Sequence, residues 1–258
     1  MTRPDHAVPT DPSPADARAA RTRAFVEFLV RCDVLTFGDF VARSGRRTPY
    51  FVNAGRYRTG EQIGELGRFY AAAIAEAFGS EVDVLFGPAY KGIPLAVTTA
   101  IAMAAEHDHD VGFCFDRKES KDHGEGGLLV GHPLRDGDRV VIVEDVTTAG
   151  TSVRATVPLL RAAADVEVVG LVVGVDRRER GAPPADAPVD GPAADRGDGP
   201  EPSALDALGR EFGFRTLALA TIDDIVTHLA GREVDGRVVL SDADLARITA
   251  YREEHGVA

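Results

Sequence analysis

The 258-residue sequence predicts an α/β fold with a central, mainly parallel sheet flanked by helices. Short runs of branched apolar residues, typical of strands buried on both faces, alternate along the chain with segments of helical periodicity. In such a sheet, ligands bind at the carboxyl ends of the strands. The clearest runs are VDVLF, VGFCF, RVVIV and VVGLVVGV, at residues 82–86, 111–115, 139–143 and 168–175.

Helices are predicted from apolar spacing and from capping residues. Apolar positions spaced as on one helix face indicate a first helix over 18–32. Thr59 and Gln62 match a capping box that opens a second helix, and Gly79 suits its end. Pro94 is placed as the first residue of a third helix. The remaining elements are a helix over 151–164 that contains Pro158, a helix over 204–212, a strand over 215–219, a helix over 222–230 and a last helix capped by Ser241 and Asp244.

The composition of two segments sets the predicted domain limits. Residues 1–17 are rich in proline, aspartate and alanine, which predicts a disordered tail. Residues 181–203 hold six prolines and four glycines but only one bulky apolar residue, so they cannot form a packed core. We interpret them as a disordered insertion within a single domain that spans 18–258, because the chain that follows continues the α/β pattern.

Net charge, cysteine count and hydropathy disfavour several classes of protein. The formal charge of −12 argues against a general binder of nucleic acids or membrane surfaces, because both are polyanions. Cys32 and Cys114 lie in apolar surroundings without metal-ligand spacing, as expected of buried thiols in a reducing compartment. The sequence has no signal-peptide core and no apolar run long enough to cross a membrane. We therefore expect a cytoplasmic protein without nucleic-acid or membrane partners.

Lysine usage singles out three positions. Of the 29 basic residues, only Lys91, Lys118 and Lys121 are lysines, and all three fall within 31 positions. Lysine is a compact point charge, whereas arginine is a planar fork. The clustering indicates sites where a cation is needed but the fork does not fit.

The segment VVIVEDVTTAGTSVR, residues 140–154, carries the most informative motif. A buried strand runs into two carboxylates, Glu144 and Asp145, and then into a turn that contains three threonines and Gly150. Backbone N–H groups ahead of a helix N-terminus, together with threonine hydroxyls, bind phosphate. Carboxylates repel phosphate, so the acidic pair is expected to accept hydrogen bonds from the hydroxyls of a sugar phosphate. The alternative is an acidic turn that only ends a strand.

This segment resembles the phosphoribosyl-pyrophosphate (PRPP) signature of the type I phosphoribosyltransferases. Further motifs, in order along the chain, resemble the bacterial orotate phosphoribosyltransferases, and the resemblance covers about residues 20–258 without the insertion. It implies the type I fold, with a small hood subdomain formed by the N-terminal region and later elements. The motifs are RSGRRTPYFVNAGRYRTG (43–60), LFGPAYKGIPLA (85–96), CFDRKESKDHGEGGLLVG (114–131), DRRERG (176–181) and AYREEHGV (250–257).

The resemblance implies a reaction and its requirements. Orotate and PRPP give orotidine 5′-monophosphate and pyrophosphate with Mg²⁺ carried by PRPP, in the de novo biosynthesis of UMP. A transition state with oxocarbenium character needs positioning, charge neutralisation of the leaving group and exclusion of water. The resemblance also implies a homodimer in which the loop 117–127 of one subunit closes over the active site of its neighbour.

By the same resemblance, Glu144 and Asp145 hold the ribose and favour the cationic sugar, although the family usually has two aspartates there. Arg43 stands where the family usually has lysine. The peptide between Ala89 and Tyr90 is where a strained, cis bond is expected. The residues expected to bind PRPP are Arg43, Tyr90, Lys91, Arg117, Lys118, Lys121, His123, Glu144, Asp145, Val146, Thr147, Thr148, Ala149, Gly150, Thr151 and Ser152.

Catalytic roles are expected for Lys121, His123, Glu144 and Asp145, with His123 either assisting the leaving group or only donating hydrogen bonds. Orotate is expected to contact Phe51, Val52, Thr148 and Arg177. An arginine fork matches the orotate carboxylate. From the sequence alone, Arg178 or Arg180 could take this role, and the motif match selects Arg177.

Two other functions remain open at this stage. One is transfer of the phosphoribosyl group to a purine or to uracil, which the DRRERG and FVNAG segments disfavour. The other is a regulator that binds the sugar pyrophosphate without catalysis and contacts nucleic acid. The acidic charge, the absence of a basic extension and the intact cationic loop disfavour that second function.

Overall fold

The computed structural model describes residues 13–41, 46–117, 128–147, 150–180 and 202–257. The helices are α1 (Pro14–Arg31), α2 (Gly60–Phe78), α3 (Gly92–Glu106), α4 (Thr151–Ala163), α5 (Ala204–Phe212), α6 (Ile222–Leu229) and α7 (Asp242–His255). The strands are β1 (Leu35–Val41), β2 (Arg47–Val52), β3 (Val84–Phe86), β4 (Gly112–Asp116), β5 (Leu129–Gly131), β6 (Arg139–Thr147), β7 (Glu167–Asp176), β8 (Arg215–Thr221), β9 (Glu233–Val234) and β10 (Arg237–Val238).

A six-stranded sheet forms the centre, with the strand order β5-β4-β3-β6-β7-β8. All neighbouring strands are parallel except β5, which pairs antiparallel with β4. One core lies between the sheet and α1, α2, α3 and α6, and a second lies between the sheet and α4 and α5. The predicted α/β class with a central, mainly parallel sheet covered on both faces is therefore confirmed.

The antiparallel pair β1–β2 stands apart from the central sheet, and the C-terminal helix α7 packs against β2. Elements from both ends of the chain thus meet in one small substructure, as the resemblance to the type I fold implies. Its position matters for function because β2 carries the TPYFV motif. Within the described residues, no helix is long and apolar enough to cross a membrane.

Local capping follows the sequence closely. Thr59 and Gln62 form the predicted capping box of α2, and Gly79 ends that helix. Ser241 caps α7 with Asp244 in the same way. The third helix differs from the prediction because it begins at Gly92, so Pro94 is its third residue rather than its first. A proline is tolerated there because the N–H groups of the first turn have no partner within the helix.

The N-terminal boundary differs from the predicted one. Helix α1 begins at Pro14, so residues 14–17, expected in the tail, form its first turn. The cause is the Ser13-Pro14 pair: the Ser13 side chain accepts a hydrogen bond from the N–H of Asp16, and proline is favoured at the first helical position.

The insertion also ends earlier than expected. Ser203 is fully buried and its side chain caps α5 by accepting from the N–H of Asp206. The rest of the predicted tail and insertion, residues 1–12 and 181–201, lies outside the described residues.

Both cysteines are free and buried, as predicted. Burial raises the pKa of the Cys114 thiol to about 12, so this group stays protonated and unreactive at neutral pH.

Candidate active site

The candidate site lies at the carboxyl ends of β3, β6 and β7, where three connecting segments meet. The pairing of β6 with β7 continues to Thr147 and Asp176, so residues 144–147 form the end of β6 at the sheet edge where Arg177 follows β7. The segment after β3 carries Lys91 and begins one strand away. Parallel strands bring these motifs together although 54 positions separate Lys91 from Asp145.

The turn after β6 has the features of a phosphate site. Gly150 adopts a left-handed conformation with φ of 72°, and a Cβ there would lie 2.9 Å from the Leu208 side chain. Helix α4 then begins at Thr151, and its N-cap is this glycine, which has no side chain to bond the first N–H groups. Thr147 is buried, and its hydroxyl has no hydrogen-bond partner among the described residues. The turn therefore offers donors to an anion.

The acidic pair is held from two sides. The Tyr70 hydroxyl donates to the backbone carbonyl of Glu144 at 2.6 Å, which fixes the end of β6. The Glu144 carboxylate accepts from the Ser152 hydroxyl, also at 2.6 Å. Burial raises the pKa of Glu144, and the Ser152 bond opposes that shift. The longer side chain of glutamate thus reaches the first turn of α4, while Asp145 stays available to the segment after β3.

Asp145 forms an ion pair with Lys91, which is one of the three lysines of the chain. The Lys91 ammonium lies 2.9 Å from the Asp145 carboxylate, and the Lys91 side chain is 58% exposed. The peptide between Ala89 and Tyr90 is cis, at the position that the resemblance indicates. The Ala89 N–H donates to the Asp116 carboxylate at 2.6 Å. Asp116 therefore anchors this loop. It was not among the predicted site residues, although it lies in the motif CFDRKESKDHGEGGLLVG.

A cavity of 440 Å³ opens beside this loop. Its size is within the range of small-molecule pockets. Tyr57 and Arg58 line it next to Tyr90 and Lys91, and neither was singled out from the sequence. The sequence could have indicated Tyr57 and Arg58, because both lie in the motif RSGRRTPYFVNAGRYRTG.

The two residues predicted to wall the base pocket lie on opposite faces of β2, as successive strand residues must. Val52 lines a small cavity with Asp145 and Val175. Phe51 instead stacks on Phe40 with ring centroids 5.6 Å apart and is 37% exposed. The structure therefore brings Val52, but not the Phe51 ring, to the acidic pair.

Arg177 follows β7 and lies against β2. Its Nη2 is 3.1 Å from the Thr48 hydroxyl and 2.7 Å from the Glu179 carboxylate. Its Nε is 3.4 Å from the Tyr50 hydroxyl. Arg178, by contrast, approaches Asp223 of α6 at 3.8 Å.

Arg180 donates to the backbone carbonyl of Glu254 at 3.4 Å. The structure thus distinguishes the three arginines that the sequence left as alternatives, and Arg177 is the one that lies beside the TPYFV strand.

Several predicted site residues lie outside the described residues: Arg43, Lys118, Lys121, His123, Thr148 and Ala149. The base of the predicted lid is described, and there the Arg117 N–H donates to the carbonyl of Leu128 at 2.7 Å. The two ends of the 118–127 segment therefore meet at β4 and β5.

Comparisons with known proteins identify the family of this chain. The phosphoribosyl transferase domain family matches residues 53–197. An orotate phosphoribosyltransferase of Clostridium beijerinckii is 49% identical over 237 residues, which is 92% of this chain and 98% of that protein. One of Lachnoclostridium phytofermentans is 50% identical over 235 residues, covering 91% and 97%.

A solved structure extends the comparison to the fold. The 1.9 Å crystal structure of the orotate phosphoribosyltransferase of Francisella tularensis superimposes with a TM-score of 0.71 at 30% identity, covering 90% of this chain and 99% of that one. The sequence matches and the shared fold lead to the same conclusion: this chain belongs to the phosphoribosyltransferase family, and within it to the orotate phosphoribosyltransferases.

Proposed function

We propose that this chain transfers the phosphoribosyl group of PRPP to orotate, giving orotidine 5′-monophosphate and pyrophosphate in the biosynthesis of UMP. The observation that carries the proposal is the convergence of three groups at one sheet edge. The acidic pair Glu144–Asp145 lies between the open N-terminus of α4 and the ammonium of Lys91. A sugar that bears a phosphate at one end and a pyrophosphate at the other requires that order of charges.

The 5′-phosphate is bound by the turn from Val146 to Ser152. The N–H groups at the start of α4 and the positive end of its dipole attract the anion. The unpartnered hydroxyl of Thr147 supplies a further donor. Thr148, Ala149, Gly150 and Thr151 complete the turn in this proposal.

Glu144 and Asp145 act on the ribose. Their oxygens accept hydrogen bonds from the sugar hydroxyls, and their negative charge stabilises the cationic character that develops at the reacting carbon. Lys91 leaves Asp145 for the pyrophosphate and neutralises the charge that builds on it. Tyr90, Arg43 and the lid residues Arg117, Lys118, Lys121 and His123 are proposed to bind the same leaving group.

Orotate binds beside β2 and Arg177. Nε and Nη2 of Arg177 are engaged by Tyr50, Thr48 and Glu179, so Nη1 is the nitrogen left for the orotate carboxylate. Val52 contacts the ligand with its side chain. Phe51 faces the other way and contributes through its backbone, and Thr148 closes the pocket.

Mg²⁺ is the implied cofactor, and the residues fit it as a substrate-borne ion. Mg²⁺ is usually held by one or two carboxylates plus substrate phosphates rather than by a cage made of protein alone. The described part of the chain has no group of three or more side chains placed to hold a metal. The carboxylates of Glu144 and Asp145, beside Lys91, suit the first arrangement. The ion supplies charge neutralisation of the pyrophosphate.

The active unit is a homodimer in this proposal, with the 117–127 loop acting on the neighbouring site. Large apolar side chains are exposed on the segment after β3, on α3, on β4 and before β5, and they support an interface between subunits: Tyr90, Ile101, Phe113 and Leu128. A mixing experiment tests the loop exchange. Lys121→Ala and Arg177→Ala, each inactive alone, should recover activity when subunits exchange, because one site of the heterodimer then lacks both defects. No recovery despite exchange would place the loop in its own subunit's site.

The reaction itself is tested by the loss of orotate absorbance after addition of PRPP and Mg²⁺, with and without a chelator. We expect metal-dependent loss that pyrophosphate and orotidine 5′-monophosphate reverse. If PRPP binds but orotate is not consumed, a different base or a non-catalytic role replaces this proposal. Adenine, guanine and uracil are then assayed in the same way.

A further inference from the structure

Glu179 is the centre of a polar cluster that joins the base-binding region to the C-terminal helix. Its side chain is 11% exposed. One carboxylate oxygen lies 2.7 Å from Nη2 of Arg177, and it also accepts from the hydroxyls of Tyr251, at 2.9 Å, and Tyr50, at 3.2 Å. The other oxygen lies 3.3 Å from Arg46. Four side chains from three parts of the sequence thus converge on one carboxylate.

The charges of this cluster do not cancel. Burial raises the pKa of both Tyr50 and Tyr251 above the ordinary range, so these phenols stay neutral and act as donors. Two guanidinium groups, of Arg46 and Arg177, then share the single charge of Glu179. One positive charge is left over among these three groups, of which Arg177 and Glu179 are each 11% exposed and Arg46 is 35% exposed. A ligand with one carboxylate would balance it.

The contacts also fix the orientation of the Arg177 guanidinium group. Its guanidinium carbon lies 4.9 Å from the centre of the Tyr50 ring, which covers one face of the fork. Glu179 and Thr48 engage Nη2, and the Tyr50 hydroxyl approaches Nε. Among the described residues, none forms a hydrogen bond with Nη1. The partners therefore leave one nitrogen of the fork for a ligand.

The last residues of the chain hold the segment that carries this arginine. The N–H of Val257 donates to the carbonyl of Arg178 at 2.8 Å, and the N–H of Arg180 donates to the carbonyl of His255 at 3.0 Å. Glu179 itself forms a bridge with Gly256. Helix α7 and its end thus support the backbone on both sides of Glu179, while Tyr251 bonds its side chain.

We propose that Glu179, held by Tyr251 of α7, is a positioning residue for base recognition that turns the Arg177 fork so that Nη1 meets the carboxylate of the base. The proposal rests on the proposed function, in which Arg177 binds orotate. Glu179 does not touch the base. It sets the orientation of the group that does, and the C-terminal helix thereby contributes to base specificity.

The test compares Glu179→Gln and Tyr251→Phe with the wild type by their KM for orotate, their KM for PRPP and their turnover of orotate relative to uracil, which lacks the carboxylate. Loss of a charged hydrogen-bond partner should raise the KM for orotate about tenfold in Glu179→Gln, and about threefold in Tyr251→Phe, which keeps the carboxylate. The KM for PRPP should stay within about twofold, and the preference for orotate over uracil should fall. Glu179→Asp, which keeps the charge, should recover part of the loss.

Controls separate this role from general damage. Glu253→Gln makes the same chemical change at an exposed position of α7, the helix that carries Tyr251, and should match the wild type. A purely structural role for Glu179 would lower the melting temperature and affect both substrates alike. A role as a competing carboxylate would lower the KM for orotate in Glu179→Gln. Either result overturns the proposal.

The proposed function is checked in the same experiment by the wild type and Arg177→Lys. If the wild type consumes orotate and Arg177→Lys loses that preference, but Glu179→Gln leaves the KM for orotate unchanged, only the positioning role is refuted. If the wild type consumes no orotate, both the function and the positioning role are refuted.

Discussion

The ammonium of Lys91 lies 2.9 Å from the carboxylate of Asp145, so the cation after β3 is paired with the second acid of β6. In the proposed function, this contact joins the residues that bind the pyrophosphate and the ribose of PRPP. It also keeps the lysine from lying unpaired beside a cavity. In the proposed function, the pyrophosphate takes the place of Asp145 at Lys91, and the Asp145 carboxylate then accepts hydrogen bonds from the sugar hydroxyls.

Replacement of Lys91 by alanine should lower kcat/KM for PRPP by about 100-fold, the usual effect of losing one donor to a developing charge. Lys91→Arg should recover only part of the lost kcat/KM, because the planar guanidinium of arginine differs in shape from the compact ammonium of lysine. Steady-state kinetics at limiting PRPP measures both. Equal activity of the arginine variant and the wild type would show that charge alone matters at this position.

Glu144 should shape the acidic side of the pH profile. Burial raises its pKa above the ordinary glutamate value, so it takes up a proton at a higher pH than an exposed glutamate does. In the proposed function the charge of Glu144 stabilises the sugar cation, and the protonated form lacks that charge, so kcat/KM for PRPP should fall as the pH decreases. The Glu144→Gln variant should have a low kcat/KM for PRPP at every pH, and this value should not fall further as the pH decreases. If the variant keeps the same decrease of kcat/KM at acidic pH, another group is responsible for that decrease.

Gly87 should be irreplaceable for the shape of the Lys91 loop. A Cβ at this position would lie 1.9 Å from the backbone carbonyl oxygen of Gly92, so the loop or α3 must move. Since a displacement of about 1 Å can cost 100-fold in rate, Gly87→Ala should lower kcat/KM for PRPP by about that factor.

Gly64→Ala is the matched control, because its Cβ would meet nothing within 4 Å inside α2. That variant should keep its activity and gain about 0.5–1 kcal/mol of stability. Thermal unfolding and steady-state kinetics of both variants measure the contrast. An active Gly87→Ala enzyme would mean that the loop tolerates a shifted backbone.

The segment 182–201 should be dispensable. Its flanking residues are already paired, since Arg180 forms a bridge with Ser203 and the N–H of Ala204 donates to the carbonyl of Glu179 at 3.1 Å. Replacing 182–201 by Asn-Gly should therefore keep activity and oligomeric state and raise the free energy of unfolding by about 1 kcal/mol through a shorter loop. Kinetics, size-exclusion chromatography and denaturant unfolding measure these. A changed oligomeric state would assign the segment to an interface.

Much of the local structure could be read from the sequence because its causes are local. A serine or threonine three residues before an acidic or amide side chain favours a helix start where an apolar helical pattern follows, and Thr59 and Ser241 cap helices in this way. The strand runs were found because buried parallel strands must be continuously apolar. The Ser13-Pro14 start was missed because the proline and alanine content around it outweighed one capping pair.

The sequence by itself determined the fold class, the family and the order of the motifs, since apolar periodicity and turn chemistry act over a few residues. Tertiary structure decided which motif residues meet. It paired Lys91 with Asp145, 54 positions apart, and Glu179 with Tyr251, 72 apart, and it turned Phe51 away from Val52. It also distinguished Arg177 from Arg178 and Arg180. Those choices depend on how the sheet, the β1–β2 pair and α7 pack together, and spacing along the chain carries no information about such packing.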